Sequence, residues 1–278
     1  MGSPSLFTSH LQAFRDVFRL LTTYKTLTWE MAKREITDRY RGQFFGLFWA
    51  VMHPLVLIGV YIFVFVIVFK VKIGGTREMP LDYTTYLLSG LIPWLAVQES
   101  MSKASTVITS NASLVKQVVF PIEILPIKSV LASLITQGIF FAILIVYVLV
   151  THFALPVTYA LLPLLVFVQM IGMAGVSYIL AAIGAYFRDM KDIVQVFTVI
   201  GIYVLPIFYL PEQVPELFRP ILYFNPFSYM IWCYQDALYF GRFAHPWAWV
   251  VYILLSHLIF ALGYGLFERL KVMFGDVL

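Results

Sequence analysis

The residues best suited to bind an anion lie just before the first long apolar stretch of the chain. Lys33, Arg39 and Arg41 fall within one short polar segment there. Lysine and arginine bind phosphate groups through charge-assisted hydrogen bonds. Two interpretations follow. The segment either only anchors the chain at a membrane surface, or its cations also bind an anionic lipid head group or a partner protein.

Glu99 is a second candidate for chemistry, because it is a carboxylate within an otherwise apolar segment, LLSGLIPWLAVQES. A charge at the centre of a membrane costs about 2.5–3.5 kcal/mol, so it must face water or a partner. A proton relay is one interpretation. Because Lys103 follows four residues later, near the end of the segment, pairing with a neighbouring helix or snorkelling is favoured.

Aromatic side chains make up 17% of the chain and are dense between residues 211 and 245. Aromatic faces stack on sugar rings, whereas Tyr and Trp also form belts at membrane interfaces. The density in one segment favours a role for some of these rings in lining a path, although a belt is the default for any single residue.

The sequence contains none of the local motifs of common catalytic sites. It has no G-x-x-x-x-G-K-[ST], H-E-x-x-H or G-x-S-x-G pattern, and its single cysteine, Cys233, allows neither an intrachain disulfide nor a cysteine metal cluster. We therefore expect a chain that is not an enzyme and that carries neither a metal nor its own cofactor.

The elements that position these residues are long apolar stretches, since 61% of residues are hydrophobic and only 12% are charged. About 20 apolar residues cross the hydrocarbon layer as a helix. The pattern predicts an all-α membrane protein with six transmembrane helices, at residues 44–69, 84–106, 127–151, 157–186, 193–210 and 246–268. Residues 1–43 form N-terminal cytoplasmic or interface helices, and residues 44–278 form the membrane domain.

Lysine and arginine predict the orientation, because they concentrate on the cytoplasmic side. With both termini inside, fourteen of them lie inside and five outside. Because the lysine and arginine residues are spread among the membrane flanks and do not form one basic patch, nucleic acid is not expected as a partner.

Residues 211–245 carry four prolines and two short apolar pieces, 217–224 and 227–240. We interpret them as an outer re-entrant pair of half-helices.

Three connecting segments could contact lipid or protein. Apolar residues recur at helical spacing over residues 11–21, as in an amphipathic interface helix, and Glu30–Arg34 and Glu35–Arg39 are spaced as ion pairs of a second helix over 26–41. Residues 110–123 predict a short amphipathic helix that serves either as a docking element or as a plain surface helix. YFRDMKDI, residues 186–193, is either a second inner contact or a topology anchor.

In combination, four segments resemble the permeases of bacterial polysaccharide ABC exporters. They are KREITDRYRGQFFGLFWAVMHPL (33–55), LLSGLIPWLAVQESMSKASTVITSNASLVKQVVFPIEILPI (87–127), AYFRDMKDI and LYFNPFSYMI. The resemblance runs from about residue 11 to the C-terminus and is greatest to O-antigen exporter permeases. Teichoic acid and capsule exporters are related.

This resemblance implies a homodimer in the bacterial inner membrane. It also implies that the dimer binds two copies of a separate P-loop ATPase, and that ATP and Mg bind to that partner and not to this chain. It implies a substrate polymer linked to undecaprenyl pyrophosphate. The residues it implies for coupling to the ATPase are Asn111, Leu114, Val115, Lys116, Val118, Arg188 and Asp189, with a coupling helix at 111–120. Those for the lipid pyrophosphate are Lys33, Arg39 and Arg41. Those for the glycan channel are Trp49, Tyr61, Tyr203, Tyr223, Phe224, Tyr229 and Trp232.

Three other classes of protein remain open from the residues alone. A small-molecule ABC exporter permease, for drugs or haem, predicts a polar pocket and usually a larger extracellular domain. A membrane-embedded glycosyltransferase or polymerase requires paired catalytic carboxylates. An ion-coupled carrier would depend on Glu99, and the lack of a convincing internal repeat weakens that interpretation.

Overall fold

The computed structural model describes residues 6–70, 81–116 and 120–277, and every regular element in these ranges is helical. The all-helical expectation is therefore confirmed. The α-helices are α1 (Leu6–Thr23), α2 (Lys25–Tyr40), α3 (Trp49–Tyr61), α4 (Tyr83–Ala104), α5 (Ala112–Val115), α6 (Ile124–His152), α7 (Leu162–Tyr186), α8 (Met190–Val204), α9 (Arg219–Phe224), α10 (Pro226–Gln235), α11 (Pro246–Leu270) and α12 (Phe274–Val277). A π-helical turn extends α3 over Ile62–Val68, and another extends α10 over Asp236–Phe240.

Four segments in the described ranges are long and apolar enough to cross a membrane. They are Trp49–Val68, Ile124–His152, Val157–Tyr186 and Pro246–Met273. They correspond to the predicted first, third, fourth and sixth spans. The predicted second and fifth spans, now α4 and α8, do not meet the same criteria of length and hydropathy.

The fifth predicted span, 193–210, was too long. Helix α8 ends at Val204, and Leu205 takes an extended conformation immediately before Pro206. The ring of a proline disfavours helical backbone in the residue that precedes it, which explains the early end. The helix is only 15 residues long.

Helix α4 is the central helix of the bundle, and its burial explains its moderate hydropathy. It packs against α6, α7, α8 and α10, and residues Thr84–Trp94 are all buried. A neighbouring helix supplies a hydrogen bond to the α4 backbone, since the side-chain NH₂ of Gln169 donates to the Pro93 carbonyl at 3.1 Å. The side-chain oxygen of Gln169 accepts in turn from Gln137 at 2.8 Å. Helix α3 shows the opposite combination, since its apolar side chains are mostly exposed.

Helices α7 and α11 approach closely because glycines face each other across their contact. A Cβ atom on Gly175 would overlap the backbone of Phe260, and one on Gly263 would overlap the backbone of Gly175. Small residues permit this backbone approach between membrane helices.

We expect Gly175→Ala to destabilise the protein, because rigid backbone cannot yield to the added methyl group. Overpacking of this kind costs about 1–3 kcal/mol. Gly138→Ala is the matched control, since Gly138 is exposed on α6 with nothing within 4 Å of its Cβ position. Thermal unfolding in detergent should separate the two variants, and equal midpoints would contradict this packing argument.

The N-terminal helices pack on the bundle. Ala13 and Val17 of α1 are buried, and the Phe14 ring lies 4.5 Å from that of Phe260 on α11, whereas Phe18 is exposed. Helix α2 packs against α6. In the 211–245 segment, helices α9 and α10 lie at the positions of the two predicted pieces, and the Asn225 side chain caps α10 by accepting from the Phe227 amide at 3.0 Å.

Asp82 ties the start of α4 to the end of α6. Its carboxylate accepts hydrogen bonds from Tyr147 at 2.7 Å and Thr85 at 2.6 Å, and lies 3.0 Å from Nε2 of His152. Burial opposes ionisation of this carboxyl, but these hydrogen bonds outweigh burial and lower its pKa.

A lowered pKa means that the ionised Asp82 stabilises the fold at neutral pH, and that this stabilisation is lost as the pH falls through the folded-state pKa. We expect Asp82→Asn to lower the unfolding temperature at pH 7, and the difference from wild type to shrink below about pH 4. Glu216→Gln, at a carboxylate that is 91% exposed, serves as the control. An Asp82→Asn deficit that is independent of pH would contradict this account.

Candidate functional site

A lateral cavity of about 950 Å³ opens between the α2–α3 connection and helices α4 and α6. Arg39, Gln43, Gln98, Glu99 and Lys103 supply polar groups to its wall. The lining also includes the polar side chains of His53, Ser102 and Thr136 and an apolar part formed by Phe44, Trp49, Leu57, Leu95 and Phe140. The cavity therefore combines charge with an aromatic surface.

An ion-pair network crosses one side of this cavity. Arg39 binds Glu99, and the Lys103 ammonium lies 2.8 Å from Glu99 and 3.2 Å from Glu35. Lys128 lies 3.6 Å from Glu35. These side chains are only 12–36% exposed. Three cations against two carboxylates leave one net positive charge beside the cavity.

The charged residues of α2 pair partly with other helices and partly with one another. The Glu35 carboxylate pairs with α4 and α6, and Arg39 reaches Glu99 on α4, so both residues face the bundle rather than only supporting an exposed helix. Elsewhere on the helix, Glu30 pairs with Lys33 and Arg34 with Asp38. The predicted pairing of Glu99 with a neighbouring helix is confirmed.

The three predicted pyrophosphate ligands lie in different environments. Arg39 lines the cavity. Lys33 lies on the outer side of α2 and pairs with Glu30 at 3.0 Å, and Arg41 pairs with Asp38 at 3.4 Å with a 76% exposed side chain. Lys103, which was not among the predicted pyrophosphate ligands, also lines the cavity.

The predicted coupling segment forms a 3₁₀ turn, Thr109–Asn111, followed by α5, so the described helix is shorter than 111–120. Val115 is buried, whereas Leu114 is partly exposed and Lys116 is exposed. Val118 lies outside the described residues. The Asn111 side-chain amide donates to the Val107 carbonyl at 2.7 Å, and its oxygen accepts from Lys128 at 3.4 Å. The coupling turn, residues 109–116, is thus bonded to the ion-pair network.

The connection between α7 and α8 lies beside this turn. Arg188 lines a cleft of about 300 Å³ together with Thr109 and Ala112. Asp189 is exposed at the start of α8. The structure therefore brings Arg188 to the coupling turn, as required if the two segments contact one partner.

The predicted channel aromatics fall into three groups. Trp49 lines the lateral cavity. Tyr61 and Tyr203 each have ring centroids 6.0 Å from that of Phe208, and Tyr203 is 63% exposed. Phe208 therefore lies near one ring of α3 and one ring of α8.

The third group lies on α9 and α10. The Tyr229 hydroxyl donates to the Tyr223 carbonyl at 2.7 Å, and both rings lie 5.4 Å from Trp232. Phe224 is 88% exposed, but Trp232 is buried at 3%. In this conformation Trp232 supports its neighbours and presents no face at the surface of the chain.

Among the described residues, no three His, Cys, Asp or Glu side chains lie close enough together to hold a metal ion. The cavity offers hydrogen-bond donors, the acceptor oxygens of Glu99 and the aromatic rings of Phe44, Trp49 and Phe140. Cationic donors are groups that bind anions, and aromatic rings are groups that stack on other rings.

The chain shares sequence with named transport proteins. It is 27% identical over 253 residues to the O-antigen export system permease protein RfbA of Klebsiella pneumoniae, which covers 89% of this chain and 93% of that relative. The protein of the same name from Myxococcus xanthus is 27% identical over 227 residues, 81% of this chain and 84% of the relative. The polysialic acid transport protein KpsM of Escherichia coli is 23% identical over 218 residues, 74% and 78% of the two chains.

The family model of ABC-2 type transporters matches residues 26–239. That range contains α2 to α10, and so holds the lateral cavity, the coupling turn and the α7–α8 connection. The chain therefore belongs to the ABC-2 type transporter family.

Proposed function

We propose that this chain is the membrane-spanning subunit of an ATP-driven exporter that moves O-antigen polysaccharide, linked to undecaprenyl pyrophosphate, across the bacterial inner membrane. The observation that carries this proposal is the lateral cavity, in which a net positive charge and Trp49 line one space. A lipid-linked glycan has pyrophosphate next to its first sugar, and this pair of groups matches charge beside an aromatic face. The names of the relatives support the class of substrate.

The proposed architecture has six spans with both termini in the cytoplasm. Helix α4 has 22 residues, about 33 Å of helix, and is long enough to cross although its burial permits polar side chains. Helix α8, with the turn that follows it at residues 205–209, makes the remaining crossing. Helices α9 and α10 form the outer re-entrant pair.

Homodimer formation would cover the apolar faces that the single chain leaves open. Helix α3 and its π-helical extension form a span that is only 11% buried, and α8 exposes Val196, Val199, Ile200 and Tyr203. In the proposed dimer these faces enclose a channel between the two copies. Tyr61 and Tyr203 then offer stacking surfaces that hold each sugar weakly and let the polymer slide.

The proposed transport cycle begins with substrate binding in the lateral cavity. Arg39 holds the pyrophosphate, the positive charge of Lys103 lies beside it, and Trp49 contacts the first sugar. A separate P-loop ATPase, which binds ATP and Mg, contacts the coupling turn through Leu114 and Lys116. Movement of that turn reaches the cavity through Asn111, Lys128, Glu35, Lys103 and Glu99, which form a continuous series of contacts.

Capsule export is the second candidate, because one relative is named a polysialic acid transport protein. Teichoic acid export would use the same cavity and the same channel. The two candidates differ from O-antigen export in the polymer that is moved.

The proposal is tested in a strain that lacks this gene. We expect surface polysaccharide to disappear and to return when the wild-type gene is supplied on a plasmid. Staining for O-antigen, capsule and teichoic acid separately identifies the polymer. An unchanged surface in the deletion strain would contradict the proposal and favour the small-molecule exporter.

A further inference from the structure

Glu99 occupies the position in which an anionic substrate would meet Arg39. Its carboxylate binds the Arg39 guanidinium and the Lys103 ammonium, and all three side chains line the lateral cavity. We propose that Glu99 is a specificity-determining counter-ion, which keeps the single phosphates of bulk phospholipids out of this site and is displaced from Arg39 only by a pyrophosphate. This inference rests on the proposed function.

The position of Arg39 makes such an exchange possible. The Arg39 side chain is 36% exposed, whereas those of Glu99 and Lys103 are 16% and 20% exposed. Arg39 therefore lies on the open side of the cavity, where a head group can approach it. Glu99 lies deeper.

Glu99 would keep a partner after displacement. The Lys103 ammonium lies 2.8 Å from it and one helical turn away on α4, so the carboxylate is not left as an isolated buried charge. Lys103 also pairs with Glu35, which pairs in turn with Lys128. Release of Arg39 from Glu99 therefore leaves the ion pairs of Lys103 with Glu99 and Glu35 in place.

The charges of the competing anions explain why Arg39 would bind a pyrophosphate in preference to a phospholipid phosphate. With Glu99 bound, Arg39 meets an anion only if that anion replaces a carboxylate. A phosphodiester head group has one charge, as the carboxylate has, and gains little by the exchange. A pyrophosphate carries more charge and more acceptor oxygens, so it makes additional charge-assisted hydrogen bonds. This discrimination matters because phospholipids greatly outnumber any lipid-linked glycan in the membrane.

The test measures binding of undecaprenyl pyrophosphate to the purified full-length chain in nanodiscs. Nanodiscs of phosphatidylcholine alone are compared with nanodiscs that contain phosphatidylglycerol. We expect phosphatidylglycerol to change the wild-type Kd by less than about twofold. In Glu99→Gln, the Kd should fall about tenfold in phosphatidylcholine, and phosphatidylglycerol should raise it again by about tenfold.

Two further variants serve as controls. One tests whether the effect comes from a disturbed fold, and the other tests whether it comes from the loss of any nearby negative charge. Glu99→Asp keeps the charge, and so the fold, but shortens the side chain by one methylene; we expect partial sensitivity to phosphatidylglycerol. Asp38→Asn removes a nearby negative charge of α2 that pairs with Arg34 and Arg41, outside the cavity lining, and should behave as wild type. Equal sensitivity in Asp38→Asn and Glu99→Gln would overturn the proposal.

A comparison of undecaprenyl pyrophosphate with inorganic pyrophosphate shows whether the bound anion is a lipid head group or a free ion. Inorganic pyrophosphate should bind much more weakly than the lipid-linked form, and equal binding of the two would overturn the assignment to a lipid head group. If the wild-type chain failed to bind undecaprenyl pyrophosphate at all, the proposed substrate would be wrong. If it bound that lipid but Glu99→Gln remained insensitive to phosphatidylglycerol, only the role of Glu99 would be wrong.

Discussion

Replacement of Arg39 by alanine is expected to reduce polysaccharide export by about 10- to 100-fold. A charge-assisted hydrogen bond to a partly buried site is worth about 1.5–3 kcal/mol, which corresponds to this range of affinity at limiting substrate. Arg39→Lys keeps the charge but loses the planar fork that matches phosphate, and should be intermediate. Export is measured as surface polymer in a deletion strain that expresses each variant at equal, low level.

Two matched controls distinguish the cavity from general surface charge. Lys33→Ala and Arg41→Ala each remove one cation from the same segment, but these side chains lie at the surface in pairs with Glu30 and Asp38. Exposed pairs contribute about 0–1 kcal/mol, so export should remain within about twofold of wild type. A loss in either control as large as that in Arg39→Ala would contradict the assignment of pyrophosphate binding to the cavity.

The second large effect is expected at the coupling turn. Leu114→Ala with Lys116→Ala should lower export at least about tenfold while the partner ATPase keeps most of its ATP hydrolysis. Leu114 is partly exposed on α5 and Lys116 is exposed just after it, so both side chains can contact a partner there. Loss of anchor side chains at an interface typically costs more than 1 kcal/mol each.

Val115→Ala is the internal control for this experiment. Its side chain is buried beneath the turn, so its truncation should reduce the stability and amount of the protein rather than separate ATP hydrolysis from export. ATPase activity and export are measured on the same membranes. Full export by the Leu114→Ala, Lys116→Ala double variant would show that the turn does not transmit the work of ATP hydrolysis.

The sequence predicted the helices well because most are defined by local signals. The apolar run over Trp49–Val68 and the prolines around α9 and α10 mark elements without knowledge of distant contacts. Glu99 was correctly predicted to need a partner, since a carboxylate in an apolar helix must be neutralised or paired.

The partners themselves could not be predicted from helical spacing. Glu35 and Lys128 meet across helices far apart in the chain, and the packing of α2 on α6 that joins them leaves no local signature. Trp232 illustrates the same limit, because its burial depends on how α10 packs. Periodicity identifies an apolar face but not whether lipid, glycan or protein covers it.

The central claim is that this chain exports a lipid-linked polysaccharide, and it is tested most directly by an inventory of lipid-linked glycans in cells that lack the gene. We predict that polymer accumulates inside these cells on undecaprenyl pyrophosphate while the surface loses it, and that wild-type protein but not Arg39→Ala reverses both changes. A normal surface without internal accumulation would contradict the account.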